Sequence, residues 1–379
     1  MSKRTSFIGH QLSHYVPVST YKPGRVRTGF EKVISHRVSP PFAFPAKQDG
    51  KILDIDEKLS LIKVKYKDGT IETIPYHQSY TKSGGHYITQ NVKPNVKKGE
   101  TVKQNDVLAY NSDFFSADPM SKQVDWNIGI PATVALIDSD DSIEDSNAIS
   151  SNFSKKLSFT PVNTRDVIVA TNTYVHKAIN IGMEVEPDTP LMVFEDGDVG
   201  DLTQGENQDD LIARVSRSIP KAKHHGKIVR VEVLYTCKLT EMHDTLSKAV
   251  KAYTKDQQAQ AKYAEGSINA NTFPDAKPLK ATDKIGPLML DNKIVIFRYY
   301  IQEEIPGDHG SKIVLGSSLK SVTSKVYDTP IYTEDGEEID VVFSTLSISN
   351  RITNSPFIQG IISRVMHKLE DEVVADYFK

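Results

Sequence analysis

The sequence predicts a mainly β chain with a small number of helical insertions, and three observations support that expectation. Ile62, Val64 and Tyr66 alternate with Lys63 and Lys65, the period of two that a half-buried strand requires. Val229, Val231, Val233 and Tyr235 alternate in the same way, and Lys293–Ile301 is dense in β-branched and aromatic residues. Only two stretches have a helical period, 239–264 and roughly 357–378.

Taken in order, the first 45 residues form a basic arm. Lys3, Arg4, Lys22, Arg25, Arg27, Lys32 and Arg37 face a single acid, Glu31, over residues 1–40. The alternating run 62–66 is followed by Asp68-Gly69 and then Thr70–Ile74, which predicts a hairpin, because Asp-Gly suits a tight turn with positive φ. Gly99-x-x-Val102 followed by Leu108 has the same spacing as Gly182-x-x-Val185 followed by Leu191, so two similar small β-units are expected. In the stretch 239–264, Leu239, Met242, Leu246, Ala249, Val250 and Tyr253 share one helical stripe, with Gly266 as a stop. Ile358, Ile361, Ile362, Val365 and Leu369 mark a last helix with one face to bury. The segments are therefore read as 1–45, 46–150, 151–285, 286–355 and 356–379.

At 379 residues and 42.2 kDa, with 38% hydrophobic and 25% charged residues, the composition is that of a globular protein with more than one domain. Net charge is −3 and the pI is near 6.4, which argues against a protein that coats nucleic acid by itself. The single cysteine, Cys237, excludes an internal disulfide framework and predicts a reducing compartment. Apolar runs such as Ile130–Ile137 are too short to span a bilayer, and no apolar stretch follows the basic start Met1-Ser2-Lys3-Arg4, so neither a membrane location nor secretion is expected.

No phosphate-cradling glycine loop and no His-Glu-x-x-His occurs. Asp138, Asp140, Asp141, Glu144 and Asp145 form an acidic cluster without calcium-loop spacing, and on composition alone it is a solvated loop.

Its flanks give the cluster a second meaning. Ile130-Pro-Ala-Thr-Val-Ala-Leu-Ile137, a polar turn, then Ile143-Glu144-Asp145-Ser resembles a segment of the β subunit of multisubunit DNA-directed RNA polymerases, where an apolar strand runs into an aromatic-Glu-Asp stretch. Gly310-Ser-Lys312-Ile-Val-Leu-Gly-Ser-Ser-Leu-Lys320-Ser-Val322 resembles that family's Gly-Asp-Lys-x-x-Gly-Arg-His-Gly-Asn-Lys-Gly-Val, with both lysines in place. The chain departs from it at Ser317-Ser318-Leu319, where the family has Arg-His-Gly-Asn. Ile339-Asp-Val-Val-Phe-Ser-Thr-Leu-Ser-Ile-Ser-Asn-Arg351 is similar to the family's block ending in Pro-Ser-Arg-Met-Asn, matching Asp340, Leu346 and Arg351. Arg27-Thr-Gly-Phe-Glu-Lys32, Gly50-Lys-Ile-Leu-Asp and Thr101–Ala109 resemble the stretch around the family's hybrid motif.

The resemblance implies the C-terminal half of a split β subunit, as in jumbo bacteriophages. The fold it implies has a hybrid-motif segment and the first part of a double-psi β-barrel over 46–150, a flap-like insertion over 151–285, and the second part of the barrel over 286–355. It implies that Lys312 and Lys320 contact phosphates of the RNA 3′ end and the incoming nucleotide, and that Arg351 grips the triphosphate. Glu144 and Asp145 would stand near nucleotide-borne Mg²⁺, Asp145 through water, while Lys22, Arg25 or Arg27 reaches the triphosphate. NTPs are the substrates. Mg²⁺ would be ligated mainly by a β′-type subunit with an Asp-Phe-Asp-Gly-Asp motif, leaving this chain inactive alone. Further expected partners are the β N-terminal fragment, a promoter-specificity factor, template DNA and nascent RNA, in the cytoplasm of an infected bacterium. The competing expectation is a β-rich virion or nucleic-acid-binding module without catalysis.

Overall fold

A computed structural model describes residues 18, 20–25, 29–38, 42–76, 79–83, 86–195, 219–263, 284–285, 288–289, 293–315, 319–350 and 355–378. The chain is mainly β, with 43% strand and 19% helix in several separate sheets. Among the described residues no helix is long and apolar enough to cross a membrane.

The predicted hairpin is present. Leu61–Tyr66 pairs antiparallel with Ile71–Pro75, and Gly69 takes φ 88° at the turn, where its N–H donates to the Tyr66 carbonyl at 3.0 Å. Gly50–Asp56 and Thr101–Val102 complete a four-stranded sheet. Ile52, Ile62, Val64, Val102 and Leu108 form its core.

The glycine echo marks two β-units built on the same backbone bonds. Gly99 donates to the Ile52 carbonyl at 2.9 Å, and Gly182 donates to the Ile228 carbonyl at 2.7 Å. Ile52 donates in return to Glu100, and Ile228 to Met183, each at 2.9 Å. Ala46 N–H reaches the Asp106 carbonyl as Ala222 N–H reaches that of Thr189. The strand that answers each glycine turn opens with Gly-Lys-Ile, at Gly50 and at Gly226. Both openings need glycine, because a Cβ on Gly50 would lie 2.6 Å from the Lys65 carbonyl oxygen and one on Gly226 would overlap that of Gln302. The chain order differs between the units. The Gly-Lys-Ile strand precedes its glycine turn in the first and follows it in the second, as in a circular permutation. The same hydrogen bonds form in either chain order because buried backbone groups must be paired.

The second unit belongs to a six-stranded sheet in which Ile294–Gln302 lies between Pro161–Ala170 and Gly226–Tyr235. That central strand, grouped by sequence with the residues after 286, is therefore bonded on both edges to strands of the 151–285 segment. Val295, Phe297, Tyr299 and Ile301 point to one buried face. Fully burying such a side chain contributes about 1.5–3 kcal/mol. The helix that covers this face is shorter than its sequence pattern. Leu239–Glu241 forms a 3₁₀ turn and the α-helix runs Asp244–Tyr263, because His243 donates its N–H to the Thr171 carbonyl and ties the chain to the sheet first. Met242, Leu246 and Val250 are buried as the stripe predicts.

A five-stranded sheet unites distant segments in the order Val134–Leu136, Val341–Phe343, Ser146–Ser150, Leu319–Tyr327, Lys312–Leu315. The outer pair Val134–Leu136 with Val341–Phe343 is parallel, as is Ser146–Ser150 with Leu319–Tyr327. The remaining contacts are antiparallel. The described strands form no closed barrel. The C-terminal helix, Ser355–Tyr377, is present, but its apolar face is exposed.

Candidate functional site

The five-stranded sheet places the acidic turn beside the two-lysine strand pair. Asp145 ends the turn with φ 62°, a left-handed conformation that aspartate tolerates better than most residues. Its N–H donates to Ser347 Oγ at 2.9 Å and its carbonyl accepts from Val322 N–H at 3.0 Å. The strand beyond it is pinned by a buried side-chain chain. Asn147 Nδ2 donates to Ser321 Oγ at 2.8 Å, and Thr323 Oγ1 donates to Asn147 Oδ1 at 3.1 Å.

Most of the acidic cluster is engaged within the fold. Asp138 accepts from Thr345 Oγ1 at 2.6 Å and from Ser344 Oγ at 3.3 Å, at the start of the short helix Thr345–Ser349. Asp141 accepts from Lys325 Nζ and from Tyr327 OH, each at 3.1 Å. The Lys325 ammonium holds the Asp141 carboxyl below the usual range, whereas burial, followed by this carboxylate, pushes the Tyr327 phenol up. Glu144 accepts from Asn350 Nδ2 at 3.2 Å. The turn is thus a hydrogen-bonded structure and not a freely solvated loop. Ser142 is only 1% exposed and shares a 3.0 Å hydroxyl contact with Ser139.

Lys312 opposes Val322, and Lys320 opposes Val314. In an antiparallel pair, opposed residues share a face, so both lysines stand on one exposed face as diagonal neighbours, about 7–8 Å apart. Neither has an ion-pair partner among the described residues. Val322 links the two halves of the site: it lies opposite Lys312 on one edge and bonds the Asp145 carbonyl on the other.

The other sequence-derived candidates lie elsewhere. Arg351, Arg27 and the Ser317-Ser318 departure fall outside the described residues, although Asn350, just before Arg351, reaches Glu144. Lys22 pairs with Gly129 on a separate three-stranded sheet. Arg25 is bound to Glu370 at 3.0 Å and lies 3.3 Å from His367 Nδ1. Asp340, which coincides with the family's block, is buried; it accepts from Thr133 N–H at 2.9 Å and pairs with Lys156 at 3.2 Å, so it latches the sheet. Sequence reasoning missed Ser347 and Asn147, whose roles depend on contacts between residues far apart in the chain. Among the described residues there is no group of three or more His, Cys, Asp or Glu side chains able to hold a metal ion. Neither a protein-family model nor a curated protein matches the sequence.

Proposed function

We propose that the chain is the C-terminal half of the β subunit of a multisubunit DNA-directed RNA polymerase, carried as a separate polypeptide as in jumbo bacteriophages. The observation that supports this reading is convergence. The three segments with polymerase-like motifs, around Glu144-Asp145, Lys312–Lys320 and Asp340–Asn350, lie in one sheet and its adjoining helix, although the first is far from the other two in sequence. On this reading the sheet is part of a double-psi β-barrel, its two parallel pairs joined by an antiparallel contact. The first Gly-Lys-Ile unit belongs to the hybrid-motif segment, and the six-stranded sheet with its helix, which holds the second unit, includes the flap-like insertion.

Nucleotidyl transfer depends on positioning and charge neutralisation more than on covalent help from protein. Lys312 and Lys320 present two mobile point charges on one face, suited to phosphates that shift by one nucleotide per cycle. Arg351 follows directly on Asn350 and would clamp the triphosphate with its planar fork. The residues of the turn do not themselves fit a Mg²⁺ site, since Asp138, Asp141 and Glu144 accept hydrogen bonds from other side chains. A partner chain would hold the metal, which supplies charge neutralisation on the phosphates, and Asp145 would act on it through water.

The test is reconstitution on a DNA template. This chain alone should make no RNA; combined with the β N-terminal fragment and β′-type chains bearing Asp-Phe-Asp-Gly-Asp, it should restore synthesis that those chains lack without it. RNA synthesis by this chain alone, or equal synthesis by the others in its absence, overturns the reading.

A further inference from the structure

The acidic turn holds the short helix Thr345–Ser349 at its start, its middle and its end. At the start, Asp138 accepts from the hydroxyls of Ser344 and Thr345. In the middle, Ser347 Oγ accepts the Asp145 N–H at 2.9 Å. At the end, Asn350 Nδ2 donates to Glu144 Oε1 at 3.2 Å. Beneath the helix, Ile348 is buried with Leu319, the residue before Lys320. A helix of five residues is too short to persist in water by itself, so these tethers decide where its end lies. That end is thereby fixed relative to the strand that carries Lys320.

The tethers differ in what they do. Asp138 stands at the N-terminal end, where the helix dipole favours a carboxylate. Ser347 is buried and pairs the amide of a residue held at φ 62°. Both serve the fold. Glu144 and Asn350 are exposed, and a carboxylate at the C-terminal end of a helix opposes the dipole, so their contact adds little to stability. It restrains Asn350, and the next residue in the chain is Arg351, which the polymerase reading assigns to the triphosphate. The amide of Asn350 is a neutral donor, so the bond requires an acceptor oxygen at that place and not a negative charge.

We infer that Glu144 is a positioning residue: by accepting from Asn350 it sets the backbone that leads into Arg351, and so acts on nucleotide binding through hydrogen-bond geometry rather than through charge on a metal ion. The inference rests on the polymerase reading and departs from the place near Mg²⁺ that the resemblance implies for Glu144. The experiment is steady-state RNA synthesis by the reconstituted enzyme at varied NTP and Mg²⁺. Glu144→Ala and Asn350→Ala should each raise the nucleotide KM about three- to tenfold, the scale of one lost hydrogen bond, with little change in kcat. Glu144→Gln keeps the acceptor oxygen and lacks the charge, so it should behave as wild type at every Mg²⁺ concentration. Glu144→Ala added to Arg351→Ala should raise KM no further, because the two residues act on one contact.

If Glu144→Gln is impaired as much as Glu144→Ala, charge carries the role and the inference alone is overturned. An unchanged KM in Glu144→Ala overturns it too, as does a KM effect of Glu144→Ala that persists in full beside Arg351→Ala. If the reconstituted wild-type enzyme makes no RNA, the polymerase reading falls and the inference with it.

Discussion

Val322 donates its backbone N–H to the carbonyl of Asp145 at 3.0 Å, joining two strands that belong to widely separated parts of the chain. The same Val322 stands opposite Lys312. One residue therefore ties the carboxylate turn to the strand pair that carries the lysines.

For the lysines the expectation is loss of rate without loss of fold. Lys312→Ala or Lys320→Ala in the assembled enzyme removes a charge-assisted phosphate contact, worth about 1.5–3 kcal/mol, or roughly ten- to over a hundredfold in rate. Both residues are exposed and lack ion-pair partners among the described residues, so thermal unfolding should not move. Arg351→Ala should mainly raise the nucleotide KM. Single-turnover synthesis at varied NTP reads both effects, and normal transcription by all three variants would show that the motif alignment is wrong.

Asp145 must be tested by a substitution that keeps its backbone. At φ 62°, alanine adds about 1–2 kcal/mol of left-handed strain, which a rate measurement would confuse with loss of charge. Asp145→Asn tolerates that conformation and removes only the charge. It should slow synthesis moderately, with partial recovery at higher Mg²⁺. A magnesium dependence equal to wild type would leave the carboxylate a structural role alone.

Ser142→Ala is expected to be visible in stability. The hydroxyl is buried against Ser139 Oγ, and losing one such bond costs about 0.5–1.5 kcal/mol. Urea unfolding of the isolated chain checks this, and an unchanged midpoint would contradict the packed turn.

Gly226→Ala should be more damaging than Gly50→Ala, although both glycines open the same kind of strand. Each added Cβ meets a carbonyl oxygen, an overpacking that costs about 1–3 kcal/mol. Gly226 also has φ 141°, which alanine rarely adopts, whereas Gly50 has no positive φ. Comparison of the two melting curves decides the order.

The Asp141–Lys325 pair predicts a pH dependence with a definite sign. The folded-state pKa of Asp141 is depressed, so the unfolded chain takes up its proton first as pH falls. The pair's contribution is present in full above the unfolded carboxyl value, about 3.9, and is lost as pH falls through the folded value. Asp141→Asn should therefore differ from wild type in stability at pH 7 and converge with it in strong acid. A difference that grew as pH fell would reverse the assignment.

Local chemistry in the sequence was enough for the β class, the Asp68-Gly69 hairpin, the two glycine-opened units and both long helices. Each follows from side-chain period or from a residue's permitted φ, and both are properties of a few neighbouring residues. Other features arise only when distant backbone meets: Ser146–Ser150 lying parallel to Leu319–Tyr327, Ile294–Gln302 being held between strands of an earlier segment, and Ser347 capping the Asp145 amide. Sequence period also marked the apolar stripe of the C-terminal helix but not its direction. Arg25 and Glu337 determined that, by binding the opposite face and leaving Ile361, Val365 and Leu369 turned outward.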